Sequence, residues 1–141
     1  MKHFLTLLLF IISFGAIGSH LSGGDIQYRY IGDSTGVTRQ YEVLLRVYRD
    51  NSGIAMGATE TVYINSSCYA QQSMTVTLIP GSGGIAPTLF DCVVPSSTTK
   101  TLEIYAYKGL VTLPGNCSNF NFSWNQCCRP GGITNINGSN G

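Results

Sequence analysis

The segment that most constrains the fold is residues 39–49, in which apolar and polar side chains alternate along the chain. Successive side chains of a β-strand point to opposite faces of its sheet, so residues two apart share a face. One face of this segment would present Tyr41, Val43, Leu45 and Val47, and the other Glu42, Leu44, Arg46 and Tyr48. The first set is the more apolar, and we therefore expect it to face a hydrophobic core.

The same period-two pattern recurs from Gly24 to the last cysteines, and no amphipathic helical stretch interrupts it. Turn-forming residues separate the segments at 33–36, 50–53 and 80–84. The strands that the pattern predicts are Asp25–Ile31, Arg39–Arg49, Glu60–Asn65, Ser73–Ile79, Lys100–Tyr107, Lys108–Leu113 and Asn119–Cys127. About seven strands at this spacing predict an all-β fold, a single immunoglobulin-like β-sandwich.

The N-terminus has the three parts of a secretory signal peptide. Lys2 supplies a positive charge, residues 4–17 are almost entirely apolar, and Ala16 and Gly18 are small residues at positions that a signal peptidase reads. The apolar run is shorter than the roughly 20 residues that a membrane-spanning helix needs. We expect residues 1–18 to be removed on export, residues 19–130 to form the β-sandwich domain, and residues 131–141 to be a tail or linker, with a point of truncation as the alternative.

Charge and histidine content exclude two classes of function. The chain has eight Lys and Arg against seven Asp and Glu, and Lys2 belongs to the signal peptide, so the mature domain is close to neutral. A nucleic-acid partner would require a basic stripe, which this sequence does not have. After cleavage the only histidine is His20, at the new N-terminus, which leaves none deep in the domain for a Ser-His-acid triad. We therefore predict a protein that is not an enzyme and that has no cofactor.

The five cysteines are Cys68, Cys92, Cys117, Cys127 and Cys128. In a small exported chain they predict disulfide bonds, with one cysteine left unpaired. Zinc binding is the alternative, but Cys-x-x-Cys spacing is absent. The adjacent Cys127 and Cys128 are poor partners, because strand geometry points their side chains apart. The sequence leaves the pairing open, and we favour Cys68 with Cys92, and Cys117 with Cys127 or Cys128.

Two further groups of side chains fit both a functional and a structural role. Asp33 and Asp50 each open a polar turn, which fits calcium binding or, as we favour, ordinary turn capping. Tyr105 and Tyr107 share a strand face with Glu103. They fit either a sugar-stacking platform for glycan contact or packing in the interior, which is the commoner role of such rings.

Three short motifs occur in order along the mature chain. They are His-x-x-Gly-Gly at 20–24, Tyr-Arg-Asp at 48–50 and Cys-Cys-Arg at 127–129. With their flanking residues they resemble the N-terminal β-domain of large surface adhesins of Bacteroidota, the gliding-motility-associated or PKD-repeat proteins. The resemblance spans nearly the whole mature chain. It implies export by the general secretory pathway and the type IX secretion system, and a location at the cell surface.

The resemblance implies a non-catalytic structural or adhesive module of a gliding or attachment protein, which would contact other surface-protein domains or extracellular glycans. A small carbohydrate-binding β-sandwich module is the alternative. Asp33-Ser34-Thr35 resembles the O-glycosylation acceptor of that phylum, with Ser34 as the acceptor, and fits an unmodified β-turn equally well. Family members commonly have cysteine directly after Tyr-Arg-Asp, where this chain has Asn51, and that departure would account for the odd cysteine.

Overall fold

The computed structural model describes residues 21–34, 36–51, 53–84 and 101–126. They form six β-strands: β1 (Leu21–Asp33), β2 (Thr38–Asp50), β3 (Thr59–Asn65), β4 (Gln72–Leu78), β5 (Leu102–Pro114) and β6 (Asn121–Ser123). These residues contain no helix, which confirms the all-β prediction. The predicted signal peptide at 1–18, the tail at 131–141, Cys92, Cys127 and Cys128 lie outside the described residues.

The six strands form one hydrogen-bonded sheet in the order β1-β2-β5-β4-β3-β6. All neighbouring strands are antiparallel. β2 and β5 pair along their full length, from Thr38 opposite Pro114 to Asp50 opposite Leu102. In contrast, β4 and β5 share only two residue pairs. The sheet therefore has two parts, β1-β2-β5 and β4-β3-β6, which are joined by a narrow contact.

The strand break predicted between Tyr107 and Lys108 is wrong, since both residues lie inside the 13-residue strand β5. Pairing with β2 continues through this point, where Gly109 lies opposite Val43. β4 approaches β5 here, and a Cβ atom on Gly109 would come within 2.7 Å of Met74 Cε. The Thr75 backbone oxygen would lie only 3.0 Å from the same Cβ atom, so glycine is favoured inside the strand where the two parts of the sheet approach each other, and it does not end the strand.

The hydrophobic core combines side chains from both parts of the sheet. Its buried residues are Val43, Leu45, Val47, Val62, Ile64, Met74, Val76, Tyr105, Tyr107 and Leu113. The predicted inner face of β2 is confirmed, because Val43, Leu45 and Val47 are at most 1% exposed. Trp124 packs against this core and donates its indole N–H to Glu60 Oε2 at 3.0 Å. Removal of these side chains from water holds the two parts of the sheet together.

Arg49 places a charge among the buried residues, with 3% of its surface exposed. Its Nη2 lies 3.1 Å from Glu103 Oε2, and its guanidinium lies 5.6 Å from the centre of the Tyr105 ring. Arg49 also donates three hydrogen bonds to backbone carbonyls of the 50–53 turn. The arginine of the Tyr-Arg-Asp motif therefore holds the turn that follows β2.

A disulfide bond joins Cys68, in the segment after β3, to Cys117, in the segment after β5, with Cα atoms 6.2 Å apart. The favoured pairing of Cys68 with Cys92 is therefore wrong, as is that of Cys117 with Cys127 or Cys128. The fold brings the two bridged segments together, and hydrogen bonds between their side chains accompany the bridge. A disulfide bond in this position fits an oxidising environment.

Candidate functional site

The loop between β1 and β2 lies beside the C-terminal end of β5, at one end of the sheet. A hydrogen bond from Ser34 N–H to Thr38 O at 3.0 Å closes this loop. Gly36 adopts a φ of 66°, the left-handed region that favours glycine. Gly115 N–H donates to Val37 O at 2.7 Å and joins the loop to β5. The predicted turn is confirmed, and backbone hydrogen bonds position both segments.

A shallow cavity of about 570 Å³ lies between this loop and the end of β5. Asp33, Arg39 and Asn116 line it with polar groups, and Val37 and Pro114 add apolar surface. Asp33 and Arg39 are directly opposite each other in the register of β1 and β2. They are nevertheless absent from the ion pairs formed among the described residues. The lining of the cavity is therefore chemically mixed, with a carboxylate, a guanidinium, an amide and apolar side chains.

A cluster of aromatic rings adjoins the cavity. Tyr28 and Tyr30 are two residues apart on β1 and lie opposite Val43 and Tyr41 of β2. The Tyr41 ring centre lies 5.8 Å from that of Tyr30 and 6.2 Å from that of Tyr28. Tyr28 also stacks on Phe122 of β6 at 5.0 Å. Because Tyr28 and Tyr30 remain 58% and 51% exposed, the cluster extends from the edge of the core into solvent.

The Tyr30 hydroxyl connects the aromatic cluster to the cavity by donating to Asp33 Oδ1 at 2.8 Å. This hydrogen bond raises the pKa of Tyr30, because ionisation would remove the donor and place a second negative charge beside the carboxylate. The positive charge of Arg39 opposes that shift. Asp33 is thus engaged by a neutral hydroxyl, and the Arg39 guanidinium has no hydrogen-bond or ion-pair partner within the described part of the chain.

The Asn116 side chain lines the cavity and is oriented by a tyrosine of the segment that follows β3. The Tyr69 hydroxyl donates to Asn116 Oδ1 at 2.6 Å. An amide that accepts through its oxygen keeps its NH₂ group as a donor. The neighbouring Cys117 belongs to the disulfide bond, which restrains this segment further. We refer to the six residues Tyr28, Tyr30, Asp33, Arg39, Tyr41 and Asn116 as the hairpin-end surface.

The opposite face of β1-β2-β5 has a different character. Its charged side chains neutralise one another across the strands: Glu42 accepts from both Arg29 at 2.9 Å and Lys108 at 2.5 Å, and Arg46 pairs with Asp25 at 2.9 Å. The hydrogen bond from Lys108 is the largest of the causes that lower the pKa of Glu42. The charges on this face are already paired with one another and are not available to a ligand. We therefore place the candidate site at the hairpin-end surface.

The structure separates the residues that the sequence proposed for binding. The sugar-stacking role of Tyr105 and Tyr107 is wrong, because they are only 8% and 0% exposed. The Tyr107 hydroxyl donates to Gly57 O at 2.9 Å, a contact of an interior residue. Ser34 is exposed in the β1–β2 loop, next to Asp33 at the cavity. Glycosylation of Ser34 stays a prediction, and a glycan attached there would lie at the edge of the cavity.

Sequence reasoning missed the tyrosines that are exposed. Tyr28 and Tyr30 show the same Tyr-x-Tyr spacing as Tyr105 and Tyr107, and alternation alone does not distinguish an edge strand from a central strand. The sequence around Asp33 fits a calcium ligand or a turn cap, and in the structure its carboxylate accepts a hydrogen bond from the Tyr30 hydroxyl. Among the described residues there is no group of three or more His, Cys, Asp or Glu side chains placed to hold a metal ion.

No protein-family model, curated protein or solved structure matches this chain. In the parts of the chain that the structure describes, no helix is long and apolar enough to cross a membrane. The function is therefore inferred from the geometry of the hairpin-end surface, together with the motifs in the sequence.

Proposed function

We propose that this protein is a non-catalytic adhesive module exposed on the surface of a bacterial cell, within a gliding or attachment protein. The hairpin-end surface is the main support, since it combines half-exposed aromatic rings with polar groups that are already oriented. Exposed aromatic surface bordered by polar residues is typical of binding sites. We further propose that the two parts of the sheet form an immunoglobulin-like β-sandwich, exported and stabilised by the disulfide bond.

The motifs behind the family resemblance are consistent with a single module. Gly23 and Gly24 of the first motif pair with Tyr48 and Val47 across β1 and β2, and Leu21 lies opposite Arg49. A Cβ atom on Gly24 would come within 2.9 Å of Arg46 O, so the close strand pairing favours glycine there. Two motifs that are distant in sequence therefore meet at one place in the sheet. This supports the resemblance as one of structure rather than of isolated peptides.

A deletion in the native host tests the adhesive function. Removing residues 19–130 in frame should impair attachment or surface spreading, and restoring the wild-type gene should recover both. A variant with Tyr28→Ser and Tyr30→Ser should not recover them. Arg29→Gln is the matched control, because Arg29 lies between the two tyrosines on β1 but belongs to the opposite face. Normal attachment and spreading in the deletion strain would contradict the proposal.

A further inference from the structure

We infer that the hairpin-end surface binds the carboxylate-bearing sugar of an acidic extracellular glycan. This inference rests on the proposed adhesive function and specifies the ligand class for the same surface. A pyranose ring needs a flat apolar face against which its C–H groups pack, together with donors and acceptors for its hydroxyl groups. An acidic sugar also needs a cation. The surface supplies each of these groups.

The unpaired cation is the feature that selects an acidic ligand. The described residues include four arginines, of which Arg29, Arg46 and Arg49 form ion pairs with carboxylates of the sheet. Arg39 is the fourth, and among the described residues it forms no such ion pair, although Asp33 lies directly opposite. Guanidinium groups bind carboxylates through two parallel hydrogen bonds. A carboxylated sugar would therefore supply the counter-charge that the described part of the chain does not give to Arg39.

The tyrosine rings are positioned before any ligand binds. The Tyr30 hydroxyl is held by Asp33 at 2.8 Å, and its ring meets the Tyr41 ring at an interplanar angle of 63°. Tyr28 is restrained by ring contacts with Tyr41 and Phe122. Side chains that are already ordered lose little conformational entropy on binding. Because Tyr28 and Tyr30 are roughly 7 Å apart along β1, the platform is long enough to contact neighbouring sugar units.

Groups for the sugar hydroxyls line the cavity together with Arg39, on Asp33 and Asn116. The Asp33 carboxylate uses Oδ1 to accept from Tyr30, and a carboxylate retains further acceptor positions on its second oxygen. Asn116 keeps its NH₂ group as a donor, because Tyr69 bonds to its oxygen. The surface therefore offers both an acceptor and a donor beside the guanidinium.

Binding to an array of uronic-acid and sialic-acid oligosaccharides tests this inference, with each glycan also present in carboxyl-reduced form. The purified wild-type domain should bind at least one acidic glycan, and reduction of its carboxylate should weaken binding about tenfold or more, as loss of a charged hydrogen bond does. Titration with that glycan should show a similar loss for Arg39→Gln. Tyr30→Ala should weaken binding to both the acidic and the reduced forms.

Arg29→Gln is the matched control, since it removes the same charge from the opposite face and should leave binding unchanged. Circular dichroism and the melting temperature of each variant would show that the fold is intact. The inference is overturned if the wild-type domain binds no acidic glycan, if it binds carboxyl-reduced glycans equally well, or if Arg29→Gln is as harmful as Arg39→Gln. If attachment still depends on Tyr28 and Tyr30 in those cases, the adhesive function stands and the surface binds a ligand of another class.

Discussion

Replacing Arg49 with methionine measures how much the buried ion pair stabilises the domain. The change leaves Glu103 without its cation and the carbonyls of the 50–53 turn without their donor. Breaking a buried ion pair typically costs about 3 to 5 kcal/mol. The Glu103 side chain is 18% exposed, so water partly replaces the arginine and places the expected loss at about 3 kcal/mol. Domains are stabilised by roughly 5 to 15 kcal/mol in total, so this loss is large.

Urea and thermal unfolding, both followed by fluorescence, provide the assay, since Trp124 is the only tryptophan and packs against the core. At about 4 °C per kcal/mol for a domain of this size, the melting temperature should fall by about 12 °C. Arg46→Met is the matched control on the same strand. Its ion pair with Asp25 is more than one-third exposed on both sides, and exposed pairs contribute little. Its effect should therefore be much smaller.

A second substitution distinguishes the cost of the unpaired carboxylate from the cost of lost packing. Adding Glu103→Met to Arg49→Met should recover part of the lost stability, because the isolated charge is then gone. An Arg49→Met variant that loses no more stability than Arg46→Met would refute the reasoning. It would mean that water reaches Glu103 and the turn as freely as it reaches the outer face of β2.

Three further predictions concern the disulfide bond, a buried tyrosine and a glycine. Replacing Cys68 and Cys117 with serine should cost about 4 kcal/mol, because the bridge spans 49 residues, and peptide mapping that links Cys68 to another cysteine would contradict the pairing. Burial raises the pKa of Tyr107 from 10.0 to about 12, so its contribution to stability should be complete below pH 10 and be lost as the pH rises towards 12. Urea midpoints over this range should fall less steeply for Tyr107→Phe, and equal slopes would argue against the shift. Gly109→Ala should lower stability by about 1 to 3 kcal/mol, because the added Cβ atom would overlap core atoms of β4. Gly23→Ala is the control and should have little effect, since nothing lies within 4 Å of its added atom. Similar losses for the two variants would show that β5 can move away from β4.

Local patterns in the sequence were sufficient to locate most of the strands. Alternation in residues 39–49 identified Val43, Leu45 and Val47 as core residues, because the side chains of a strand must point to alternate faces whatever its neighbours are. Glycine in the loop after Asp33 predicted the turn between β1 and β2, because Gly36 needs a positive φ there. These are properties of a few consecutive residues, which the chain specifies without reference to the rest of the fold.

The binding surface and the disulfide bond depend on neighbours that are distant in sequence. Tyr28 and Tyr107 have the same local pattern, yet Tyr28 lies on the edge strand β1, and Tyr107 lies on β5 between β2 and β4. Strand order decides this difference, because a side chain is buried only where another part of the sheet covers its face. Cys68 likewise pairs with Cys117, 49 residues away, because the fold brings together the segments that follow β3 and β5. The sequence by itself determined most of the strands, the turn between β1 and β2 and the inner face of β2. The tertiary structure alone decided which tyrosines are exposed, which cysteines pair and which of the described arginines has no carboxylate partner among the described residues.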